Sequence, residues 1–186
     1  MPRRSEKVDH RSVWRRLDSP GFEASRLRRG TRGWVLEGVA VFVAEEPCRL
    51  DYRIRMDAAW RTRDAQVNGW VGGRSLSIDV DVDANGKWVQ NDVECAAVAG
   101  CIDVDLGFSP STNTLPIRRL DLAVGQSAVV RAAWLPFPLF ELQVLEQRYT
   151  RTSQNVYAYE AGTFRSTLDV GELGVVERYA GLWQRE

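Results

Sequence analysis

The sequence predicts a mainly β protein built on one large antiparallel meander, in the form of a barrel or half-barrel. Three observations support this fold class. Apolar and polar residues alternate with a period of two, short segments rich in Gly, Asn, Asp and Ser separate the alternating stretches, and helix signals are scarce. Hydrophobic residues at 44% and charged residues at 27% indicate a folded globular protein.

The alternation is clearest at 49–56 and 75–82. In the first segment, residues 50, 52, 54 and 56 are apolar or aromatic, whereas residues 49, 51, 53 and 55 are charged. This pattern is typical of a strand with one buried and one polar face. The second segment runs into Asn85-Gly86, a strong hairpin signal because both residues tolerate positive φ. Further strands are predicted at 21–28, 32–44, 60–70, 127–135, 139–152, 154–161, 164–170 and 174–180.

The best helix signal begins at Ser109-Pro110. Ser is a favoured N-cap and Pro is favoured at the first helical position. Pro116 lies inside this stretch, so the sequence predicts either one short helix or two turns broken at the proline. Residues 9–17 could form a further turn or two.

Charge and composition exclude several classes of protein. The formal net charge is zero, so we expect no nucleic-acid partner. No apolar run approaches the roughly 18–20 residues of a membrane-spanning helix, and no apolar segment follows the basic N-terminus as in a secretory signal. With three cysteines in no CxxC spacing, these features predict a cytoplasmic protein without a transmembrane segment.

The N-terminus is basic, with ten basic and four acidic side chains in residues 1–33. We predict a flexible basic tail over 1–12 and a single domain over 13–186. The single histidine, His10, falls in this tail, which excludes a histidine-based zinc site and a Ser-His-Asp triad within the domain.

Asp103 and Asp105 are the first candidate site residues. Alternation places them on one face of a strand, about 6–7 Å apart, with Arg118 and Arg119 following the helix signal. The acids could form an ion-pair cluster with the arginines, accept hydrogen bonds from sugar hydroxyls, or act as a glycosidase pair. A metal site that adds Asp121 is a further alternative.

Aromatic residues give a second signal. Trp60 and Trp88 lie beside polar strand faces, where an indole could stack on a sugar or simply pack in the core. The apolar segment 132–142 carries two prolines, so it could be a sheet edge, a pocket lip, an oligomer contact or part of the core.

Taken together, these residues resemble the bacterial family called "putative glycolipid-binding proteins", earlier a domain of unknown function. The segment around SPSTNTLPIRRL is the most specific part, and the resemblance spans about residues 14–183. It is carried by GWVLEG at 33–38, LDYRIRMDAAWRTRDAQV at 50–67, GKWVQN at 86–91, CIDVDLGFSPSTNTLPIRRL at 101–120, EQRYTR at 146–151 and FRSTLDVGELGVVERY at 164–179.

The resemblance implies one many-stranded antiparallel sheet, a half-barrel wrapped around a single helix and remotely similar to lipoprotein-localisation factors. It also implies a homodimer and an acidic pocket. On this sequence that pocket would draw on Asp103 and Asp105, and Asp57 could add a further carboxylate. Its predicted lining is Trp60, Trp88, Asn113 and Tyr149, with Arg118 and Arg119 bracing the acids or contacting the ligand.

Three functions follow from these residues. The first is non-catalytic binding of a glycolipid or related sugar-bearing amphiphile, with a role in glycolipid metabolism and no cofactor or metal. The second is a hydrolase or transferase that acts on such a ligand through Asp103 or Asp105. The third is a structural dimer module in which the acids and arginines only stabilise the fold.

Overall fold

Fifteen strands pair into one sheet in the computed structural model, which describes residues 8–186. The strands are β1 (Asp9–Arg16), β2 (Gly21–Arg29), β3 (Gly33–Val43), β4 (Pro47–Asp57), β5 (Thr62–Val71), β6 (Arg74–Val82), β7 (Trp88–Gln90), β8 (Val93–Glu94), β9 (Asp103–Leu106), β10 (Ser127–Leu135), β11 (Gln143–Ser153), β12 (Val156–Ala161), β13 (Phe164–Val170), β14 (Val176–Tyr179) and β15 (Trp183–Arg185).

The sheet consists of two meanders that meet in its middle. Its order is β8-β7-β6-β5-β4-β3-β2-β1-β15-β14-β13-β12-β11-β10-β9, so the first and last strands are neighbours. Every pairing is antiparallel except that of β9 with β10, which is parallel. The segment between β8 and β10 carries β9, two short 3-10 turns and the helix α1 (Thr114–Leu120). The predicted fold class, a large antiparallel half-barrel around a single helix, is confirmed.

Alternation determines which face of each strand is buried. In β4, Leu50 and Ile54 are fully buried while Arg49, Arg53 and Arg55 are exposed, as the sequence predicted. The Asn85-Gly86 turn also forms, with Gly86 at φ +79° and its N–H donating to the Asp83 carbonyl at 3.1 Å. The strand faces could be predicted because the side-chain period of two is unambiguous in these segments.

The sheet curls so that its two ends approach each other without pairing. The edge strands are β8 and β9, and β9 lies against β5. The Val104 N–H donates to the Thr62 hydroxyl at 3.0 Å, and the Thr62 N–H donates to the Ile102 carbonyl at 3.2 Å. These contacts hold the two ends of the sheet close together, and the sheet remains open.

Helix α1 lies against the concave face, and its buried Leu115 and Ile117 belong to the main core. A 3-10 turn at Ser111–Asn113 precedes it, so the helical segment starts two residues after the predicted N-cap. Pro116 is the third residue of α1, in the first turn, where its missing N–H breaks no helical hydrogen bond. The helix therefore runs through the proline and ends at Leu120, and the next residue, Asp121, is left-handed at φ +43°.

Two expectations for the N-terminal region were wrong. Residues 9–17 form no helical turn, because Asp9–Arg16 is a strand that buries Trp14 and pairs with both β2 and β15. The tail predicted at 1–12 extends too far, since its last four residues, including His10, belong to β1. Residues 1–7 of that prediction lie outside the described part of the chain. Within residues 8–186, no helix has the length and apolarity to cross a membrane.

Candidate functional site

A cavity of about 320 Å³ opens at one end of the half-barrel. Every strand from β9 to β15 contributes at least one residue to its wall, and the segment after β9 completes it. Its polar side chains come from Asp105, Ser109 and Asn113. Five aromatic rings line the remainder, those of Trp134, Tyr159, Phe164, Tyr179 and Trp183. The cavity therefore combines a carboxyl group with aromatic surfaces.

Asp105 is the carboxyl group that faces this cavity. It accepts hydrogen bonds from the Thr112 hydroxyl at 3.1 Å and from the Gln147 amide. Burial raises the pKa of Asp105 to about 6, although these two hydrogen bonds act in the opposite direction. Within residues 8–186 it has no basic side chain within 4.0 Å, so its charge is not neutralised by an ion pair.

Asp103 has a different role on the same strand. Its carboxylate receives Arg119 in a bidentate pair, with Nε 3.0 Å from Oδ1 and Nη2 also donating to Oδ2. The side chain of Asp103 is 1% exposed, and burial raises its pKa although Arg119 lowers it. The pair ties the last turn of α1 to β9. Arg119 thus braces one acid of the predicted pair, and Asp105 is left for other chemistry.

Glu23 is a buried carboxyl group that sequence reasoning missed. It lies on β2 with no exposed surface, and its Oε1 accepts from the hydroxyls of Tyr52 at 2.6 Å, Ser109 at 2.8 Å and Ser111 at 2.9 Å. Oε2 has no hydrogen-bond partner in the described part of the chain. Ser109 also lines the cavity, so this carboxyl group lies one side chain behind the cavity wall.

The cluster around Glu23 is short of protons when the carboxyl is ionised. Ser111 lies 2.6 Å from the hydroxyls of both Tyr52 and Ser109, which makes five close oxygen–oxygen contacts with the three contacts to Glu23. Three hydroxyl protons cannot fill five contacts. A proton on the Glu23 Oε1 brings the supply to four for the five contacts and so reduces this shortage. Burial raises the pKa of Glu23 to about 7 against the effect of the hydroxyl donors.

The burial of Glu23 could have been predicted from its position in the alternating pattern of β2. Arg26 and Arg28 lie on the outer face of β2, so Glu23 falls on the inner face with Leu27. Strict alternation applied to 21–28 would have placed this acid in the core.

Asn113 and Tyr149 come together with Asp105 through a residue that was not predicted. The Tyr149 hydroxyl donates to the Asn113 side-chain oxygen at 2.8 Å and lies 3.3 Å from the Gln147 Oε1. The other end of the Gln147 amide donates to Asp105. Asn113 lines the cavity, whereas Tyr149 is buried behind it. Gln147 therefore links three of the predicted site residues.

The two predicted tryptophans lie outside the cavity wall. Trp88 is buried in the core and donates its Nε1–H to the Cys101 carbonyl at 3.2 Å. Trp60 is buried and stacks on Trp34 with ring centroids 4.3 Å apart. Arg118 also lies outside the cavity wall, with its Cζ 5.3 Å from the Trp60 ring centroid. These side chains pack instead of lining the cavity.

Asp57 also lies away from the cavity. Its carboxylate accepts from the backbone N–H groups of Ala59 and Arg61 at 2.8 and 3.0 Å, and from the Arg63 side chain at 2.9 Å. These bonds stabilise the turn between β4 and β5. The alternative metal site is not formed either, since residues 8–186 contain no group of three His, Cys, Asp or Glu side chains that could hold a metal ion.

The aromatic lining was only partly visible in the sequence. Trp134 belongs to the segment 132–142, for which a pocket lip was one of the alternatives. The other four rings lie in strands, where an aromatic residue is equally consistent with core packing and with lining a cavity. They converge because β12 to β15 pair as consecutive neighbours, which places the four rings side by side across the sheet.

Comparison with known proteins agrees with this architecture. A family model described as "Putative glycolipid-binding" matches residues 11–185. A crystal structure of a DUF1089 family protein from Pseudomonas aeruginosa superposes with a TM-score of 0.79 at 36% identity, covering 88% of this chain and 92% of that one. A search among curated proteins gave no match. The resemblance stated from the sequence motifs is confirmed, and the chain belongs to the family described as "Putative glycolipid-binding".

Proposed function

We propose that the aromatic cavity binds a glycolipid or a related sugar-bearing amphiphile. The observation that carries this proposal is the position of Asp105, a carboxyl group without an ion pair in the described chain, among five aromatic rings. A carboxylate accepts hydrogen bonds from sugar hydroxyls, and aromatic faces pack against sugar rings and alkyl chains. The family description is consistent with such a ligand.

The cavity accommodates part of an amphiphile. Its volume of about 320 Å³ lies at the lower end of the range of ligand pockets, about 300–1,000 Å³. Asp105, Ser109 and Asn113 would hold the sugar hydroxyls. Phe164 is 41% exposed at the mouth, where it would contact the start of the alkyl chain as the chain leaves the protein.

A second candidate is a hydrolase or transferase that acts on the same ligand. It is favoured by the pKa of about 6 at Asp105, which suits a general acid or base near neutral pH. Asp103 is committed to Arg119, so the reaction would use Asp105 without its predicted partner. Turnover of a glycolipid that disappears in a folded Asp105→Asn variant would favour this candidate over simple binding.

The proposal includes three further predictions. These are a role in glycolipid metabolism, a homodimer and a cytoplasmic location. Light scattering on the purified protein tests the dimer. If the protein binds no ligand in any of these tests, the alternative of a structural dimer module without a ligand is favoured.

The direct test is native mass spectrometry of gently purified protein, followed by analysis of an organic extract. We expect an amphiphile at near one copy per subunit. Ala161 lines the cavity and Ala158 lies on the outer face of the same strand, so Ala161→Trp should abolish binding and Ala158→Trp should not. If the wild-type protein carries no amphiphile after purification, binding to the wild type and to both variants is measured by titration with octyl glucoside below its critical micelle concentration. Equal binding to both variants, or none to any protein, would contradict the proposal.

A further inference from the structure

A second cleft, of about 370 Å³, opens at the other end of strands β12 and β13. The aromatic cavity reaches Phe164 at the start of β13, and this cleft reaches Val170 at its end. Six residues of strand separate them by about 20 Å. Among residues 8–186, the two share no lining residue. We propose that this second cleft, here called the arginine cleft, binds a phosphoryl group through Arg118 and Arg151.

Arg118 is held in a fixed position on α1. Gly174 lies against it so closely that a Cβ at that position would be 2.6 Å from the Arg118 Cδ, and Gly174 has φ +72°. On the other side the Arg118 Cζ lies 5.3 Å from the Trp60 ring centroid. Its Nε is buried and has no hydrogen-bond partner in the described chain. A buried N–H without an acceptor is costly, and an anion bound where Arg118 lines the cleft would offset part of that cost through its charge.

Arg151 is fixed on β11 by backbone carbonyls. Its Nη1 donates to the Leu122 carbonyl at 2.7 Å, and its Nη2 and Nε donate to the Gln154 carbonyl at 2.6 and 3.2 Å. The guanidinium carbon is 5.7 Å from the Tyr157 ring centroid. Within residues 8–186, three of the five N–H donors of the guanidinium are used in this way, which leaves two for a ligand.

Neither arginine is neutralised within residues 8–186, since no carboxylate oxygen lies within 4.0 Å of either guanidinium. The neighbouring Arg119 is different, because Asp103 pairs with it. Asp121 and Glu172 also line the cleft, but both are exposed to solvent, where water and salt screen their charges. The partly buried guanidinium groups therefore dominate the interior of the cleft.

A phosphoryl group matches this arrangement best. Its several oxygens can accept from two guanidinium groups on different elements at once, as charge-assisted hydrogen bonds. Asn155 and Tyr157 add neutral donors to the same cleft. A free phosphate monoester and a phospholipid headgroup share this chemistry. Because the cleft is separate from the aromatic cavity, this inference does not depend on the proposed function.

The test is calorimetric titration of the full chain with glycerol 3-phosphate at constant ionic strength, with a parallel vesicle-binding assay. The vesicles contain phosphatidylcholine alone or with phosphatidic acid. Saturable binding of glycerol 3-phosphate supports a site for soluble phosphate esters. Binding only to vesicles with phosphatidic acid supports a lipid headgroup. Failure of both probes to bind would overturn the proposal.

Variants decide whether the arginine cleft is responsible. Arg118→Gln and Arg151→Gln should each weaken binding roughly tenfold or more, as expected for losing charged hydrogen bonds. Arg148→Gln, on the exposed face of the same strand as Arg151, is the matched control and should leave the affinity unchanged. Asp121→Asn should tighten binding slightly, because a screened carboxylate still repels an anion, and this test leaves both partly buried arginines in place. Equal affinity in all these proteins would contradict the assignment.

Discussion

The two halves of the sheet share one architecture but enclose different interiors. The first meander, β1 to β8, packs its interior with apolar side chains that include both aliphatic residues such as Leu50 and Ile54 and the indole rings of Trp14 and Trp88. The second, β10 to β15, turns four tyrosines inward, and both the aromatic cavity and the arginine cleft are lined mainly by it, with Tyr149, Tyr157, Tyr159 and Tyr179 buried. We infer that the first half stabilises the fold and the second half holds the ligand-binding surfaces.

The largest expected effect comes from the first half. Ile54→Ala removes a fully buried side chain and should lower the free energy of unfolding by about 4 kcal/mol, from lost burial and a residual cavity. Urea denaturation measures this. Val41→Ala, on a side chain that is 48% exposed, is the control and should change little. The folded fraction of Ile54→Ala should bind octyl glucoside with the wild-type affinity. A loss of affinity in that folded fraction would contradict the assignment of ligand binding to the second half alone.

The next effect concerns the ion pair that anchors α1. Arg119→Ala leaves the Asp103 carboxylate buried and unpaired, so the free energy of unfolding should fall by about 3 kcal/mol. Adding Asp103→Asn should recover part of that loss. Arg63→Ala breaks the more exposed pair with Asp57 and should cost less than about 1 kcal/mol. Similar losses in Arg119→Ala and Arg63→Ala would show that the buried pair contributes nothing special.

Glu23 makes stability depend on pH. Its pKa rises from 4.5 to about 7 in the folded protein, so between these values the native state binds more protons than the unfolded state. The stabilising contribution is complete below pH 4.5 and is lost as the pH rises to about 7, by about 3 kcal/mol. Urea denaturation from pH 4.5 to 8 should therefore show Glu23→Gln gaining stability over wild type as pH rises.

Exposed Glu146→Gln controls for the loss of one negative charge. It should follow the wild-type pH dependence. A constant difference between Glu23→Gln and wild type at every pH would mean that Glu23 ionises as readily in the fold as in the unfolded chain.

The smallest effect is on affinity alone. Asp105→Asn keeps the shape of the side chain but weakens its hydrogen bonds to sugar hydroxyls, so octyl glucoside should bind roughly tenfold less tightly. Titration calorimetry measures the affinity, and circular dichroism checks the fold. Asp57→Asn, whose side chain lies in the β4–β5 turn, should leave affinity unchanged. If Asp57→Asn weakened binding and Asp105→Asn did not, the ligand would bind at the β4–β5 turn and not in the aromatic cavity.

The sequence predicted the strand faces well because a period of two fixes which side chains are buried, as at Leu50 and Ile54. It predicted the site less well because the cavity depends on contacts distant in sequence. Asn113 accepts directly from Tyr149, and Gln147 connects Tyr149 to Asp105. Trp60 and Trp88 proved to be core. The five aromatic rings come from strands β10 to β15, and no local pattern in the sequence reveals that they line one cavity.

The most direct test uses the tryptophans as reporters, since the chain has seven. Trp134 and Trp183 line the aromatic cavity, and the other five lie elsewhere. In ¹⁵N–¹H spectra assigned by Trp→Phe substitutions, octyl glucoside below its critical micelle concentration should shift the indole signals of Trp134 and Trp183. The signals of Trp14, Trp34, Trp60, Trp70 and Trp88 should stay in place. Shifts confined to those five, or no saturable shift at all, would contradict ligand binding by the second half of the sheet.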